Sequence, residues 1–441
     1  MGGTSGGPAP ERLGAAYVRL LALAALIGVP VSVAAFAFLA LLHWLTHLVW
    51  EDLPARWGFD PVPWWWPVPW LLVGGAIVAV AVSRLPGRGG HVPIDGLSAE
   101  PVPPSHLPGV LLAALGGLPL GVVLGPEAPL MAVGGAFAAI LTGRWVARGG
   151  PASALLGASG SASAIAVIFG SPLVAAVFIL ESAGRAGLKQ TRVVLPCLLA
   201  AGVGALVFTG LGSWTGLAVP SLSLPGLDVP ARPDFADLLW TIPMAVLIAV
   251  GVRQVHHLGR RLVPHAARRP ALMAMVAVAV TAAAAAAYSL LTGRSPVEVV
   301  LSGQEALGVF TAEGDVPGAW ALVALVALKG LAYAVSLATL RGGPIFPALF
   351  LGAAVGALLA GLPGLGIAPA MAAGMAAATA AILPLPVSAA VLITLLLGSG
   401  ATGMTPIVLI AVVVAFVTER LIDRTGDDEP APGPAGGAHG A

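Results

Sequence analysis

Proline and glycine repeatedly cut short the apolar segments of this chain that are composed as if to cross a membrane. A hydrocarbon core needs about 20 helical residues. The runs 110–124, 130–141, 155–169, 173–180, 345–359 and 387–397 stop before that length. Backbone breaks at membrane depth are tolerated only where protein or a water-filled cavity surrounds them. The pattern therefore predicts a transporter or channel of broken helices rather than a bundle of straight spans.

Composition supports the bilayer as solvent. Of 441 residues, 58% are hydrophobic and 9% charged, against roughly 25% charged in globular domains. A net charge of +1 offers no footprint for nucleic acid. One cysteine, Cys197, allows no internal disulfide, and no Cys/His spacing suits a metal, so no cofactor is expected. The first apolar run, about 13 to 48, is too long for a cleaved signal and reads as a spanning helix.

The breaks repeat. Gly125-Pro126-Glu127-Ala128-Pro129 and Gly343-Pro344-Ile345-Phe346-Pro347 share the pattern Gly-Pro-x-x-Pro, each with a glycine nine positions on, Gly134 and Gly352. Further along, Gly160 precedes Pro172 by twelve residues and Gly374 precedes Pro386 by twelve. Residues 173–179 (LVAAVFI) align with 387–393 (VSAAVLI). We read two structural repeats, 13–210 and 235–425, joined by an extracellular connector at 211–234. Disordered ends are expected at 1–12 and 426–441.

Paired interruptions in two halves point to a binding site near the membrane midplane. Both carry proline where a helix would begin, which fixes the first turn while leaving other N-terminal amides free. Such ends hold about half a positive charge and attract anions.

Charge placement suggests orientation. Five arginines and no acid lie in 253–269, while Arg185, Lys189 and Arg192 cluster in another connector and Arg420 and Arg424 follow the last helix. These should be cytoplasmic. The stretches 51–60, 228–237 and the pair Glu313 and Asp315 lean acidic and should face out, giving the halves opposite topology and both termini a cytoplasmic position. Trp64, Trp65, Trp66 and Trp70 read as an interfacial belt.

The motifs at 125–135, 170–181 and 342–352 resemble the CLC family of chloride channels and proton/chloride antiporters, and the resemblance covers nearly the whole membrane region. It implies an all-helical polytopic fold of two inverted repeats and a homodimer with one pore per subunit. In the family an acidic residue in a G-R-E-G-P motif competes with the anion and swings away on protonation. Glu127 matches it, with Pro126 and Ala128 replacing the usual Arg and Gly. A carboxylate inside a membrane costs about 2.5 to 3.5 kcal/mol on insertion scales, and a helix N-terminus offsets part of that; simple helix capping is the alternative role.

Residues 343–347 match the family's G-I-F-A-P, whose backbone amides ligate the anion. Pro344 lacks an N–H, so one donor is missing, while Ile345 and Phe346 can still donate. The resemblance thus implies anion ligation by Gly125, Ala128, Gly343, Ile345, Phe346 and, through a weak match of 89–93 to G-S-G-I-P, by Gly90, which stands in for a serine. His91 beside it is either an added donor or an ordinary loop histidine. The family's tyrosine ligand in the final helix has no counterpart, the last tyrosine being Tyr333. Glu181 matches an acid common to channels and antiporters. Ser182 occupies the position of the antiporters' proton-passing glutamate, and a serine cannot exchange protons near neutral pH.

Other readings compete. Gly157-Ala158-Ser159-Gly160 would suit an intramembrane serine protease, although small-residue packing explains it better; loss of proteolysis in Ser159→Ala would identify such an enzyme. His43 and His47 share a helix face and read as interfacial anchors rather than a metal site. Lys329, inside an apolar run, should either pair with a buried acid such as Glu181 or raise the pore's positive potential.

The expectation is therefore a multi-pass plasma-membrane protein, not an enzyme, that passes chloride or a similar small monovalent anion through a CLC-like pore. Glu127 gates passive flow. The alternative is a proton-coupled antiporter for chloride or fluoride.

Overall fold

In the computed structural model, the residues described are 14–97, 102–143, 146, 150–185, 190–216, 233–304, 306–307, 316–398 and 401–427. The expected disordered N-terminal end, residues 428–441 of the C-terminal one, most of the 211–234 connector, Lys189, and the acidic pair Glu313 and Asp315 lie outside them, while Gly426 and Asp427, expected to be disordered, finish a helix.

The described residues contain no β-strand. In chain order the principal helices are α1 (Ala15–His47), α2 (Pro67–Arg84), α3 (Leu107–Gly117), α4 (Glu127–Thr142), α5 (Pro151–Ile168), α6 (Pro172–Arg185) and α7 (Gln190–Thr215). The second half continues with α8 (Phe235–Arg268), α9 (Pro270–Thr292), α10 (Ala319–Thr339), α11 (Ile345–Leu359), α12 (Ile367–Ile382), α13 (Pro386–Leu396) and α14 (Ala401–Asp427). Eight helical segments among them are long and apolar enough to cross a membrane, while α4, α11, α12 and α13 are apolar but shorter.

Proline sets many of the helix starts. It occupies the first turn of α2, α5, α9 and α13, where a missing N–H breaks no intrahelical bond. Helix lengths correct several sequence readings: Arg185 ends α6 and Arg192 opens α7 rather than lying in a connector, and Arg420 and Arg424 lie within α14 rather than after it. The 155–169 run belongs to α5, whose 18 residues qualify it as a span, because Pro151 starts the helix upstream of the apolar run. The Arg-rich stretch 253–269 is not a connector: all but its last residue continue α8, since Arg is a good helix former and cations near the C-terminus complement the helix dipole.

The chain divides into two compact units. The first comprises Met1–Leu41, Ser98–Leu107 and Pro129–Ser221. Its helices approach through small residues. A Cβ on Gly134 of α4 would strike the Gly160 carbonyl of α5, and the reverse holds for Gly160. Buried serines bond across helices: Ser32 Oγ donates to the Gly204 carbonyl at 2.7 Å and Ser161 Oγ to that of Met131 at 3.0 Å. With lipid tails as apolar as leucine, such close backbone contact and interhelical bonding supply the cohesion.

The second unit comprises Leu42–Leu97, Pro108–Ala128 and Leu222–Ala441. Here α11 and α12 cross at Gly352 and Gly374, whose Cβ atoms would each meet the other's carbonyl. These two glycines occupy the positions that the repeat pairs with Gly134 and Gly160, so the same glycine crossing recurs once in each unit. Helix α8 begins with a reciprocal cap in which the Asp237 amide donates to Asp234 Oδ1 and the Asp234 amide to Asp237 Oδ2, both at 2.9 Å. Asp237 Oδ1 also accepts from the Gly366 amide at 3.2 Å, tying the start of α8 to the start of α12.

The tryptophan belt is smaller than expected. Trp64 and Trp65 are exposed, but Trp66 is buried, donates from Nε1 to the Val49 carbonyl at 3.0 Å, and packs among Trp57, Phe59, Trp65 and Trp70. An indole N–H with a backbone acceptor can enter the core. His43 and His47 stack edge-to-face at 6.0 Å, and His47 Nε2 lies 2.7 Å from Glu51, consistent with anchoring.

Candidate functional site: the Glu127 carboxylate between two broken helices

The two Gly-Pro-x-x-Pro motifs meet at their first residues. Gly125 and Gly343 form an isolated antiparallel bridge, the Gly125 amide donating to the Gly343 carbonyl at 2.8 Å and the Gly343 amide donating back to the Gly125 carbonyl. Neither amide is left for an anion. Both residues instead contribute by having no side chain, because a Cβ at either would run into the Glu127 carboxylate.

Glu127 opens α4 and is 1% exposed. Its Oε1 accepts from the Phe346 amide at 3.0 Å. Phe346 is the second residue of α11, which Pro344 caps in helical conformation, so the carboxylate sits on the positive end of that helix. The amides of Ile345 and of Glu127 itself also bear on it. Its other oxygen, Oε2, has no hydrogen-bond partner among the described residues. A buried oxygen lacking a partner is costly in the ionised state. Either a proton or departure of the side chain relieves that cost, and departure would leave the Phe346 amide open to another anion.

Among the sequence candidates, then, Gly125, Glu127, Gly343, Ile345 and Phe346 converge, whereas Ala128 follows Glu127 in the first turn of α4 without a polar side chain. Gly90 lies in a turn where the nearest atoms to a Cβ would be those of Val110 at 3.0 Å. Its φ of +99° strains any residue with a side chain, which accounts for glycine where the resemblance expects serine. His91 is exposed. Ser182 is half-buried near the end of α6.

Tyr333 is a residue that sequence reasoning passed over. Fully buried on α10, it donates its hydroxyl to the Pro344 carbonyl at 2.6 Å, holding the loop that presents the Ile345 and Phe346 amides. Its only sequence signal is a polar-tipped aromatic one helix upstream of the motif.

Lys329 is held chiefly by backbone carbonyls, and the acid whose charge acts on it is Glu298. Its Nζ donates to the carbonyls of Glu298, Val299, Val300 and Leu301 at 3.0 to 3.2 Å and lies 4.7 Å from the centre of the Phe350 ring. It is a structural cation whose charge is matched by backbone dipoles, a partner that no side-chain search in sequence would find. The serine of the protease reading is likewise committed: Ser159 Oγ donates to the Leu155 carbonyl at 2.9 Å and lies 3.7 Å from Cys197 Sγ, with no histidine among its partners.

A polytopic helical membrane protein whose broken helices hold a buried carboxylate against backbone amides is the class that fold and site define. The family model described as voltage gated chloride channel matches residues 74–420. A putative ion-transport protein YfeO of Escherichia fergusonii is 30% identical over 349 residues, covering 77% of this chain and 79% of that protein. Its namesake in Salmonella paratyphi A is 31% identical over 348 residues, 77% and 80% of the two chains. The fold is similar to that of a slow cyanobacterial Cl-/H+ antiporter, with a TM-score of 0.69 at 20% identity over 93% of this chain and 99% of the other. A CLC-type fluoride/proton antiporter gives 0.61 at 18% identity, over 91% and 96%. The chain belongs to the CLC, or voltage gated chloride channel, family.

Proposed function

We propose that the protein carries a small monovalent anion, chloride or fluoride, across the plasma membrane through a pore gated by Glu127. The observation that carries this reading is the Glu127 carboxylate on the Phe346 amide with Oε2 unsatisfied. The carboxylate there behaves as a tethered anion holding the position a free anion would take, and protonation weakens its hold on the amide. Flux should therefore rise as pH falls.

Transport is passive in this reading, because Ser182 stands where a second proton-passing carboxylate would be needed. The functional unit is a homodimer with one pore per subunit, an extension of the family resemblance. Both termini are cytoplasmic, in keeping with the arginines at the end of α8 and in the last turns of α14.

The test is ion efflux from liposomes at clamped voltage, followed with chloride and fluoride electrodes and an internal pH probe. The parent protein should show anion efflux that grows at acid pH without uphill proton movement, and Glu127→Gln should be fast and pH-insensitive. An unchanged pH profile in Glu127→Gln refutes the gate. Proton uptake driven by an anion gradient replaces the passive reading with antiport, and the responding electrode names the ion.

A further inference from the structure

Lys329 lies halfway along α10, a span of 21 residues, and Tyr333 follows it by four, which sets both side chains on one helix face. Tyr333 reaches the Glu127 site directly, through the Pro344 carbonyl. Lys329 reaches it by a longer route. The carbonyls that its Nζ holds belong to a segment that leaves the helical turn Pro296–Glu298 and runs on to Gly303 without regular structure. Irregular backbone at membrane depth needs internal partners for its polar groups. The ammonium supplies them for four residues in a row.

The same segment is tied to two further elements. Leu301 has a φ of +62°, a left-handed conformation that costs a residue with a side chain conformational energy, and its amide donates to the Gly121 carbonyl at 3.2 Å. Gly121 ends the short turn Leu118–Leu120 and opens the stretch that leads to Gly125. Gly303, with a φ of +87°, lies against Phe350 of α11, where a Cβ would come within 2.5 Å of the ring atom Cγ. That ring also carries the Lys329 ammonium, 4.7 Å from its centre. One face of α10 is thus joined to both sides of the Gly125–Gly343 bridge. Lys329, Leu301 and Gly121 make the connection to the first side, and Tyr333 and Pro344 make it to the second.

We propose that Lys329 is a positioning residue of the gate: together with Tyr333 it clamps the two broken segments in the register that puts the Phe346 amide on the Glu127 carboxylate. The proposal rests on the gating reading for its consequence. A stretched amide bond holds the ionised carboxylate less well. A loosened clamp therefore lets Glu127 leave at a lower proton concentration, and the acid activation of flux moves to higher pH. Among the described residues, the side chain on which the Glu127 charge acts is Tyr333, and the charge that acts on Lys329 is that of Glu298, itself bonded to Tyr288 and Arg294.

The test pairs liposome efflux with amide hydrogen exchange of the purified protein, for the parent, Lys329→Gln and Tyr333→Phe. In efflux, each variant should move the midpoint of the pH profile upward by about half a unit or more, about threefold in proton concentration, and adding Glu127→Gln should erase the difference. In exchange, Lys329→Gln should speed the amides of 298–304 and also those of Gly125, Gly343 and Phe346, each by at least about threefold. A merely structural role would lower folded yield and scale flux equally at every pH. The parent's midpoint in folded Lys329→Gln, or faster exchange confined to 298–304, overturns the proposal. Should Lys329→Gln fail to fold, Gly303→Ala decides, because it pushes the segment off Phe350 with Lys329 intact: the same upward shift supports the clamp, and the parent's midpoint overturns it. If Glu127→Gln leaves the pH profile unchanged, or the parent carries no anion, the gating reading fails by itself. Exchange at Gly125, Gly343 and Phe346 then decides the clamp alone.

Discussion

Replacing Lys329 by methionine should be among the most damaging single changes in this protein. The side chain is fully buried and its Nζ serves four consecutive carbonyls, Glu298 to Leu301. Three N–H groups cannot supply four carbonyls one apiece, so at least one N–H is shared between two of them. Methionine fills most of the volume but leaves these backbone oxygens facing an apolar side chain, and backbone acceptors cannot be mutated away in compensation. Loss of a charge-assisted bond costs about 1.5 to 3 kcal/mol, and the contact over Phe350 adds about 1 kcal/mol. Against these stands the desolvation of a buried ammonium, which methionine does not incur. Each buried carbonyl left without a donor costs about 1 to 3 kcal/mol, so two or more of them give a net loss of about 3 to 5 kcal/mol.

For a chain of this size each kcal/mol lowers the unfolding midpoint by about 1 °C, so Lys329→Met should fall by about 3 to 5 °C in thermal unfolding followed by loss of the monodisperse peak. Lys329→Gln keeps an N–H donor and should fall less than the methionine variant. A methionine variant as stable as the parent would show that the four carbonyls need no cation, and the anchoring argument would fail.

Two further variants test the site and the repeat. Gly343→Ala places a methyl group in the space of the Glu127 carboxylate without disallowing the backbone, so it should displace an intact Glu127 and flatten the pH dependence of efflux as Glu127→Gln does. A normal pH profile in that variant would show that the carboxylate does not occupy this position during transport. Gly374→Ala drives a methyl group into the Gly352 carbonyl, where rigid backbone cannot yield; overpacking of this kind costs about 1 to 3 kcal/mol or more, readable as reduced folded yield and a lower thermal midpoint. Parent-like stability would refute the close α11–α12 crossing.

Much of this architecture is written in the order of residues. Proline and glycine are local signals, because a missing N–H or a missing Cβ acts whatever surrounds it, and so the short helices α4, α11 and α13 and their proline starts are legible in one dimension. The repeated Gly-Pro-x-x-Pro motif likewise marks Glu127, Ile345 and Phe346 as a unit. Pairing is different in kind. The sequence cannot say that the Gly125 and Gly343 amides bind each other rather than an ion, nor that Tyr333 holds Pro344. Nor does it reveal that four carbonyls from the preceding segment hold Lys329, or that Arg341 donates to the carbonyls of Arg88 and Leu340. Each of these depends on which backbone groups tertiary packing brings to a side chain, and backbone groups are the same at every residue. Composition and periodicity therefore determine where helices begin, end and break in the bilayer; three-dimensional contact alone decides which charges are satisfied and which remain open to an ion.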